Sequence, residues 1–215
     1  MTGEAGRGER AAGGGAPEGI VHVVDDDEAI RDALSWLLRS RGLASRTWPS
    51  AEEFLAAWSE TTRGCLVLDV RMDGMSGVEL FDRLLERGAR LPVLFLTGHG
   101  DVPLAVSALK KGAFDYVEKP FNDNDLVDRI VAALSHDALR RRRLESEATV
   151  AARLAALTPR ERQVMERVLA GDYNKNIADD LGIAVRTVEV HRARIFEKMA
   201  VRSAVELAQL LASKR

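Results

Sequence analysis

The sequence predicts a two-part molecule: a five-stranded, parallel, doubly wound α/β sheet followed by an all-α unit of four helices. Three observations predict it. Between Ile20 and about Ser135, short Val-, Leu- and Ile-rich runs alternate with amphipathic segments, the pattern of repeated β/α units. Several of these runs are almost continuously apolar, as strands covered on both faces must be. Beyond residue 136 the strand signal stops and the charge balance reverses. Residues 19–134 carry 13 Lys and Arg against 19 Asp and Glu, a net of −6, whereas residues 135–215 carry 16 against 11, a net of +5. An acidic part joined to a basic part points to a second part that meets a polyanion.

Taken in order, residues 1–18 are rich in Gly, Ala, Glu and Arg and lack the apolar stretch of a secretory signal; they read as a disordered leader. Strands are expected at 20–25, 43–48, 65–70, 92–97 and 114–118. The helices between them carry start signals. Ser50-Ala51-Glu52-Glu53 reads as a capping box, Asp101-Val102-Pro103 puts proline in a first turn, and Asn122 to Asp125 offers a cap and first-turn acids. Residues 136–156 read as a helical linker with a solvated basic face at Arg140 to Arg143. Helices at 159–170, 174–181, 185–199 and 203–212 follow. Thr158-Pro159-Arg160-Glu161 opens the first with a capping box and proline at N1, and Ser203 to Glu206 opens the last. Gly171 and Gly182 stand where C-terminal caps are wanted.

Bulk properties exclude several classes. The 215 residues are 46% hydrophobic and 30% charged, a soluble globular profile. No apolar run approaches the roughly 18 residues needed to cross a bilayer. The one cysteine, Cys65, excludes an internal disulfide and is expected as a small buried hydrophobe in a reducing, cytoplasmic setting.

Three of the runs end in charge: Asp25-Asp26, Asp69 and Lys119-Pro120. In open parallel sheets the ligand crevice lies beyond the carboxyl ends of the strands, so these residues can converge there. Mg²⁺ takes one or two carboxylates beside waters and a phosphate; Asp26 and Asp69 suit that, with Asp25 assisting. Ionised Asp69 can also act as nucleophile and form an acyl phosphate. Lys119 would offer a point charge to phosphoryl oxygens and Thr97 a hydroxyl. Each residue has an ordinary role as well: Asp27 is the expected N-cap of the first helix, and Asp69 alone could be a turn residue. The combination at successive strand ends is what points to phosphoryl transfer.

The strings VVDDDEAIR (23–31), LVLDVRMDGMSGVEL (66–80), LTGHGD (96–101) and FDYVEKPF (114–121) resemble the receiver domain of two-component response regulators, most of all the FixJ type, over about residues 19–137. The resemblance implies a flavodoxin-like sheet and phosphorylation of Asp69 by a sensor histidine kinase. It implies Mg²⁺ (or Mn²⁺) at Asp26, Asp69 and the backbone carbonyl of Arg71, with Asp25 assisting. It also implies a switch made of Thr97 and Tyr116, with Lys119 in the pocket. In one respect the chain departs from the family: Asp73 stands where proline is usual after the methionine.

In the basic part, Asn174 to Leu181 and Val185 to Met199 flank a glycine-containing turn, a helix-turn-helix pattern. Val188, Ile195 and Met199 share a face and should be core. Arg186, Val190, Ala193, Arg194 and Glu197 fall opposite, flanked by Glu189 and Arg192. Val190 and Ala193 suit thymine methyls and Arg194 a guanine or phosphate. Lys175, Arg192 and Arg202 suit phosphates, and Arg186, Thr187 and Glu189 complete the expected DNA-facing set. LTPRERQVMERVLAGDYNKNIADDLGI (157–183) with RTVEVHRARIFEKM (186–199) is similar to the LuxR/NarL/FixJ DNA-binding domain over about residues 153–214. Family members usually have Ser-Pro before Arg-Thr-Val; here Ala184-Val185 removes both the oxygen cap and the N1 proline.

The expectation is a phosphorylation-controlled transcription factor with a receiver at 19–135, a linker at 136–156 and a helix-turn-helix unit at 157–215. It would act as a homodimer on double-stranded DNA, with RNA polymerase as a further partner, no membrane, and no enzymatic activity beyond self-phosphorylation and slow autodephosphorylation. A phosphatase of the haloacid dehalogenase kind would want a second acid two residues after its nucleophile, where Arg71 stands. A constitutive DNA-binding protein with a vestigial receiver is the other reading, opposed by the complete set Asp26, Asp69, Thr97 and Lys119.

Overall fold

Successive side chains of a strand point to opposite faces, so a run such as Cys65-Leu66-Val67-Leu68 must feed two cores. The structure, a computed structural model that describes residues 18–98 and 102–212, shows both. β1 (Ile20–Val24), β2 (Ser45–Trp48), β3 (Gly64–Asp69), β4 (Val93–Thr97) and β5 (Asp115–Glu118) form one parallel sheet in the order β2-β1-β3-β4-β5. Val21, Val23, Cys65, Val67, Leu94 and Leu96 pack against α1 (Glu28–Ser40) and the first half of α5 (Asp123–Ala155). Val24, Leu66, Leu68, Val93 and Phe95 pack on the other face against α2 (Ala51–Ala57), α3 (Gly77–Glu86) and α4 (Val102–Lys110).

The strands differ from expectation by one or two residues at their ends. β2 starts at Ser45, not 43, because the Leu43 N–H bonds to the Leu38 carbonyl at 2.9 Å and its buried side chain belongs to the turn after α1. Residues 136–155 form no separate element: they continue α5, which runs unbroken for 33 residues. The leader, apart from Glu18, and Asp101 lie outside the described residues.

Caps set the helix starts. Asp27 Oδ1 accepts the Ala29 N–H at 2.8 Å, Ser50 the Glu53 N–H at 3.2 Å, and Asn122 Oδ1 the Asn124 N–H at 2.8 Å. Of the expected capping boxes, Thr158–Glu161 forms with both arms. At Ser203 only the Oγ arm forms, since the Glu206 carboxylate takes the Arg202 N–H at 2.7 Å instead.

Two compact units divide after Arg140, α5 contributing to each. The second contains α6 (Pro159–Ala170), α7 (Asn174–Leu181), α8 (Val185–Met199) and α9 (Ala204–Ala212). Val150, Val164, Val168, Ile177, Val188, Ile195, Met199 and Leu207 fill its core. Gly171 and Gly182 close α6 and α7 in left-handed conformation, as expected. No helix among the described residues is long and apolar enough to cross a membrane.

Candidate functional site

The strand order reverses direction between β1 and β3, and the crevice of such a sheet opens there, beyond the strands' carboxyl ends. β1 delivers Asp25 and Asp26 to it, β3 delivers Asp69, and β5 delivers Lys119, whose bond to Pro120 is cis. Lys119 Nζ donates to Asp25 Oδ2 at 3.0 Å and to Asp69 Oδ1 at 2.9 Å. Asp25, Asp26 and Asp69 each present an oxygen within 4.8 Å of the others'. Asp25 and Asp69 are buried; Asp26 is exposed.

The pocket is braced from all sides. Asp25 Oδ1 accepts the Asp27 N–H at 2.9 Å, and Asp26 Oδ2 the Asp73 N–H at 2.8 Å. A proline at 73 would have no N–H to give. The Arg31 guanidinium clasps the backbone carbonyls of Asp25 and Asp26 at 2.8 and 2.9 Å. On the far side α3 begins so close to β3 that a Cβ at Gly77 would lie 2.0 Å from the Asp69 carbonyl oxygen. Only glycine fits.

Three carboxylates around one lysine leave an excess of negative charge, which acts on the titrations together with burial. Burial pushes the Asp69 carboxyl above its ordinary range; the Lys119 hydrogen bond opposes this, while Asp25 and Asp26 add to it. Burial pulls the Lys119 ammonium down, but the hydrogen bonds to Asp69 and Asp25 outweigh it and hold the group above its ordinary value. Both groups hold their protons more tightly than free side chains do, Asp69 chiefly because it is buried and Lys119 because of its two acid partners. Hard oxygen donors in such a cluster fit Mg²⁺ or Mn²⁺.

Thr97 ends β4 fully buried, its hydroxyl 3.4 Å from the Val117 carbonyl. Tyr116 is half-buried on β5 and packs against the α2–α3–α4 side of the sheet. Arg71 lies on the loop between β3 and α3.

Sequence reasoning missed Arg31, Gly77 and Asp137. The last is completely buried on α5, where its Oδ2 accepts the Gly64 N–H at 3.0 Å and Oδ1 pairs with Arg140 at 2.7 Å. Burial, with the Asp137 charge nearby, pushes the Cys65 thiol up to about 12, which keeps it an unreactive thiol.

In the second unit Val188, Ile195 and Met199 are buried, while Lys175, Arg186, Thr187, Glu189, Val190, Ala193, Arg194 and Arg202 are exposed. Val190 is 42% exposed, an apolar side chain in a basic, solvent-facing stripe. Arg192 is half-buried instead, its guanidinium 5.5 Å from the Phe196 ring centroid. Ala184 precedes α8 without a side-chain cap; the Thr187 and Val188 N–H groups reach its carbonyl at 2.9 and 3.2 Å. Behind the pair of helices, Glu161 is buried and its carboxylate joins the Thr158 N–H at 2.8 Å to Lys198 Nζ at 2.7 Å. The Lys198 hydrogen bond first, then that of Thr158, hold the Glu161 carboxyl down at about 2.

Known proteins share both halves. The model of the response regulator receiver domain matches residues 21–131, and that of the luxR family of bacterial regulatory proteins matches residues 155–211. The C4-dicarboxylate transport transcriptional regulatory protein DctR of Rhodobacter capsulatus is 53% identical over 192 residues, 88% of this chain and 98% of its own. The transcriptional regulatory protein FixJ of Azorhizobium caulinodans is 49% identical over 195 residues, 90% of this chain and 92% of its own. Among solved structures, the response regulator StyR matches with a TM-score of 0.84 at 42% identity, covering 90% of this chain and 98% of that one.

Proposed function

The chain belongs to the response regulators of two-component systems, with a receiver domain and a LuxR-type DNA-binding domain, and from that premise we propose that Asp69 accepts a phosphoryl group from a sensor histidine kinase and that the basic unit then binds double-stranded DNA as a homodimer. One observation carries this reading: Lys119 Nζ bridges Asp25 and Asp69 where three parallel strands end. A lysine placed between two acids can hold the oxygens of a group arriving on one of them.

In this mechanism an Asp69 oxygen attacks phosphorus, the P–N bond of the donor phosphohistidine breaks, and the imidazole leaves with the electron pair and takes up a proton. An acyl phosphate results. The work of the protein is positioning and charge neutralisation. The Asp27 and Asp73 N–H groups orient the Asp25 and Asp26 carboxylates, Arg31 fixes the backbone beneath them, and Lys119 meets the phosphoryl oxygens. Mg²⁺ or Mn²⁺ bound at Asp26, Asp69 and the Arg71 carbonyl, with Asp25 assisting, would supply further neutralising charge. The same pocket accounts for self-phosphorylation from small donors and slow autodephosphorylation.

The phosphoryl group adds about −1.5 to −2 charge and strong acceptor oxygens. The Thr97 hydroxyl exchanges its long bond to Val117 for one of these, and Tyr116 moves with it, changing the face that dimerises. On DNA, Val190, Ala193 and Arg194 read bases, Arg186, Thr187 and Glu189 line the same helix start, and Lys175, Arg192 and Arg202 hold phosphates. RNA polymerase is the next partner, and the cytoplasm the site of action. Receiver, linker and output take residues 19–135, 136–156 and 157–215.

The test is incubation with acetyl phosphate and Mg²⁺, followed by sizing and a DNA shift assay. The natural chain dimerises and shifts DNA, and Asp69→Asn loses both responses. Dimerisation that persists in Asp69→Asn, or none in the natural chain, defeats the proposal.

A further inference from the structure

α2 has seven residues, about 10 Å at 1.5 Å per residue. Beyond its end at Ala57, the loop that follows lines a hollow together with His22 of β1 and Arg46 and Trp48 of β2. A cavity of about 290 Å³ results, walled by His22, Trp48, Phe54 and Trp58 and rimmed by Arg46 and Arg63. It belongs to a different part of the sheet from the acidic pocket and shares none of its residues.

The walls are ordered. Phe54 meets His22 and Trp48 edge-on, with ring centroids 5.5 and 5.6 Å apart. The loop is closed by the Ser59 N–H on Thr62 Oγ1 at 3.0 Å and by a bond of 2.9 Å between the Ser59 and Thr61 hydroxyls. The Arg46 guanidinium lies 4.1 Å from the centroid of the Trp48 ring. Among the described residues no carboxylate pairs with Arg46 or Arg63.

Two polar atoms in this wall lack a partner. His22 and Trp48 are 6% and 7% exposed, and His22 Nδ1 and Trp48 Nε1 are buried without a hydrogen bond among the described residues. His22 Nε2 lies 3.2 Å from the Arg63 carbonyl oxygen, which can only accept, so Nε2 carries the hydrogen. Burial holds the ring's pKa below its ordinary value, the Arg63 carbonyl opposing. The ring is therefore neutral, and its Nδ1 lone pair, like the Trp48 Nε1–H, lies beneath the cavity wall rather than open to it. Unpaired buried polar groups are uncommon, and each is costly until satisfied.

We propose that this cavity binds a small aromatic carboxylate, its ring among the aromatic walls and its carboxylate on the Arg46 and Arg63 guanidiniums. The volume is at the lower end of ligand sites, which suits a single ring rather than a nucleotide. Guanidiniums without acids ask for an anion, and mainly aromatic walls ask for a ring on it rather than for inorganic phosphate. Such a ligand would give this receiver a chemical input separate from phosphorylation.

The experiment titrates the full chain with benzoate and 3-hydroxybenzoate while following the Trp48 indole N–H resonance. Acetate and inorganic phosphate serve as controls. A saturable shift with both aromatic acids is expected, from the ring current of the bound acid beside the Trp48 indole, with little from the controls. Arg46→Gln with Arg63→Gln should weaken binding about ten-fold or more, equivalent to ~1.4 kcal/mol. The variant's other resonances report whether it remains folded, and binding by the natural chain is read independently of it. An indole resonance that stays put at millimolar benzoate overturns the proposal. So does a shift of equal affinity in a folded double-arginine variant, or equal binding of inorganic phosphate.

Discussion

The acidic pocket of the receiver and the Glu161–Lys198 pair of the DNA-binding unit use the same ingredients to opposite ends. Around Lys119 two carboxylates share one ammonium with a third acid close by, and Asp69, chiefly through burial, is pushed above its ordinary range. Around Glu161 one carboxylate pairs with Lys198 and accepts the Thr158 N–H, and sits at about 2. The first arrangement leaves negative charge unmet, which suits a site that could hold a cation. The second matches one acid with one ammonium and ties the start of α6 to the end of α8. Imbalance marks the place that acts; balance marks the place that holds.

The contrast fixes signs with pH. Glu161, with its folded value depressed from 4.5 to about 2, contributes stability that is fully present above about 4.5 and is lost as the pH falls toward 2. Asp69, with its folded value raised, contributes stability only when protonated; that contribution is lost as the pH rises through its raised value. The two groups thus tilt the acid limbs of their units in opposite directions.

The largest expected effect is on the balanced side. Glu161→Gln should destabilise the DNA-binding unit by about 1.5–3 kcal/mol, the range for a hydrogen bond to a charged group. Denaturant unfolding of that unit should show this loss at pH 7, and the variant's stability should fall less than the natural chain's between pH 5 and 2 in the same measurement, on the order of that shift. An unchanged midpoint would make the pair ornamental. On the unbalanced side, Mg²⁺ at ten times its dissociation constant should stabilise the receiver unit by ~1.4 kcal/mol while leaving the other unit's melting untouched. Calorimetry with and without the ion measures it. Smaller still, Asp69→Asn relieves like-charge crowding and should raise receiver stability at pH 7 by about 0.5–1 kcal/mol, as removal of functional strain often does; a lowered melting temperature would reverse the interpretation of the cluster. The smallest effect lies outside both sites. Ala184→Ser restores an oxygen to the N-cap of α8 and should stabilise its unit by about 0.5 kcal/mol, with slower amide exchange at Arg186 and Thr187.

The strands and their charged ends were legible because a sheet buried on both faces writes itself as continuous apolar runs, and a crevice residue must follow such a run directly. The four late helices were legible from Thr158, Gly171 and Gly182, whose backbone roles follow from their chemistry. What escaped reading depends on distance in sequence. Nothing near Asp137 reveals that the Gly64 N–H, 73 residues away, needs its carboxylate. Nothing in the capping box at Thr158 announces Lys198, 37 residues beyond Glu161. The continuity of α5 was hidden for another reason. Its apolar face changes near Ser135, but no glycine or proline interrupts residues 123–155, and helix propensity carries the chain through.

Gly77 has a consequence for how this gene can drift. Every residue other than glycine adds the Cβ that would collide with the Asp69 carbonyl, so no amino-acid replacement at this codon is mild. A copy of the gene that has lost its selective purpose will sooner or later show a change there, while a copy still under selection will keep it. The position is a marker of whether a duplicated regulator is still in service.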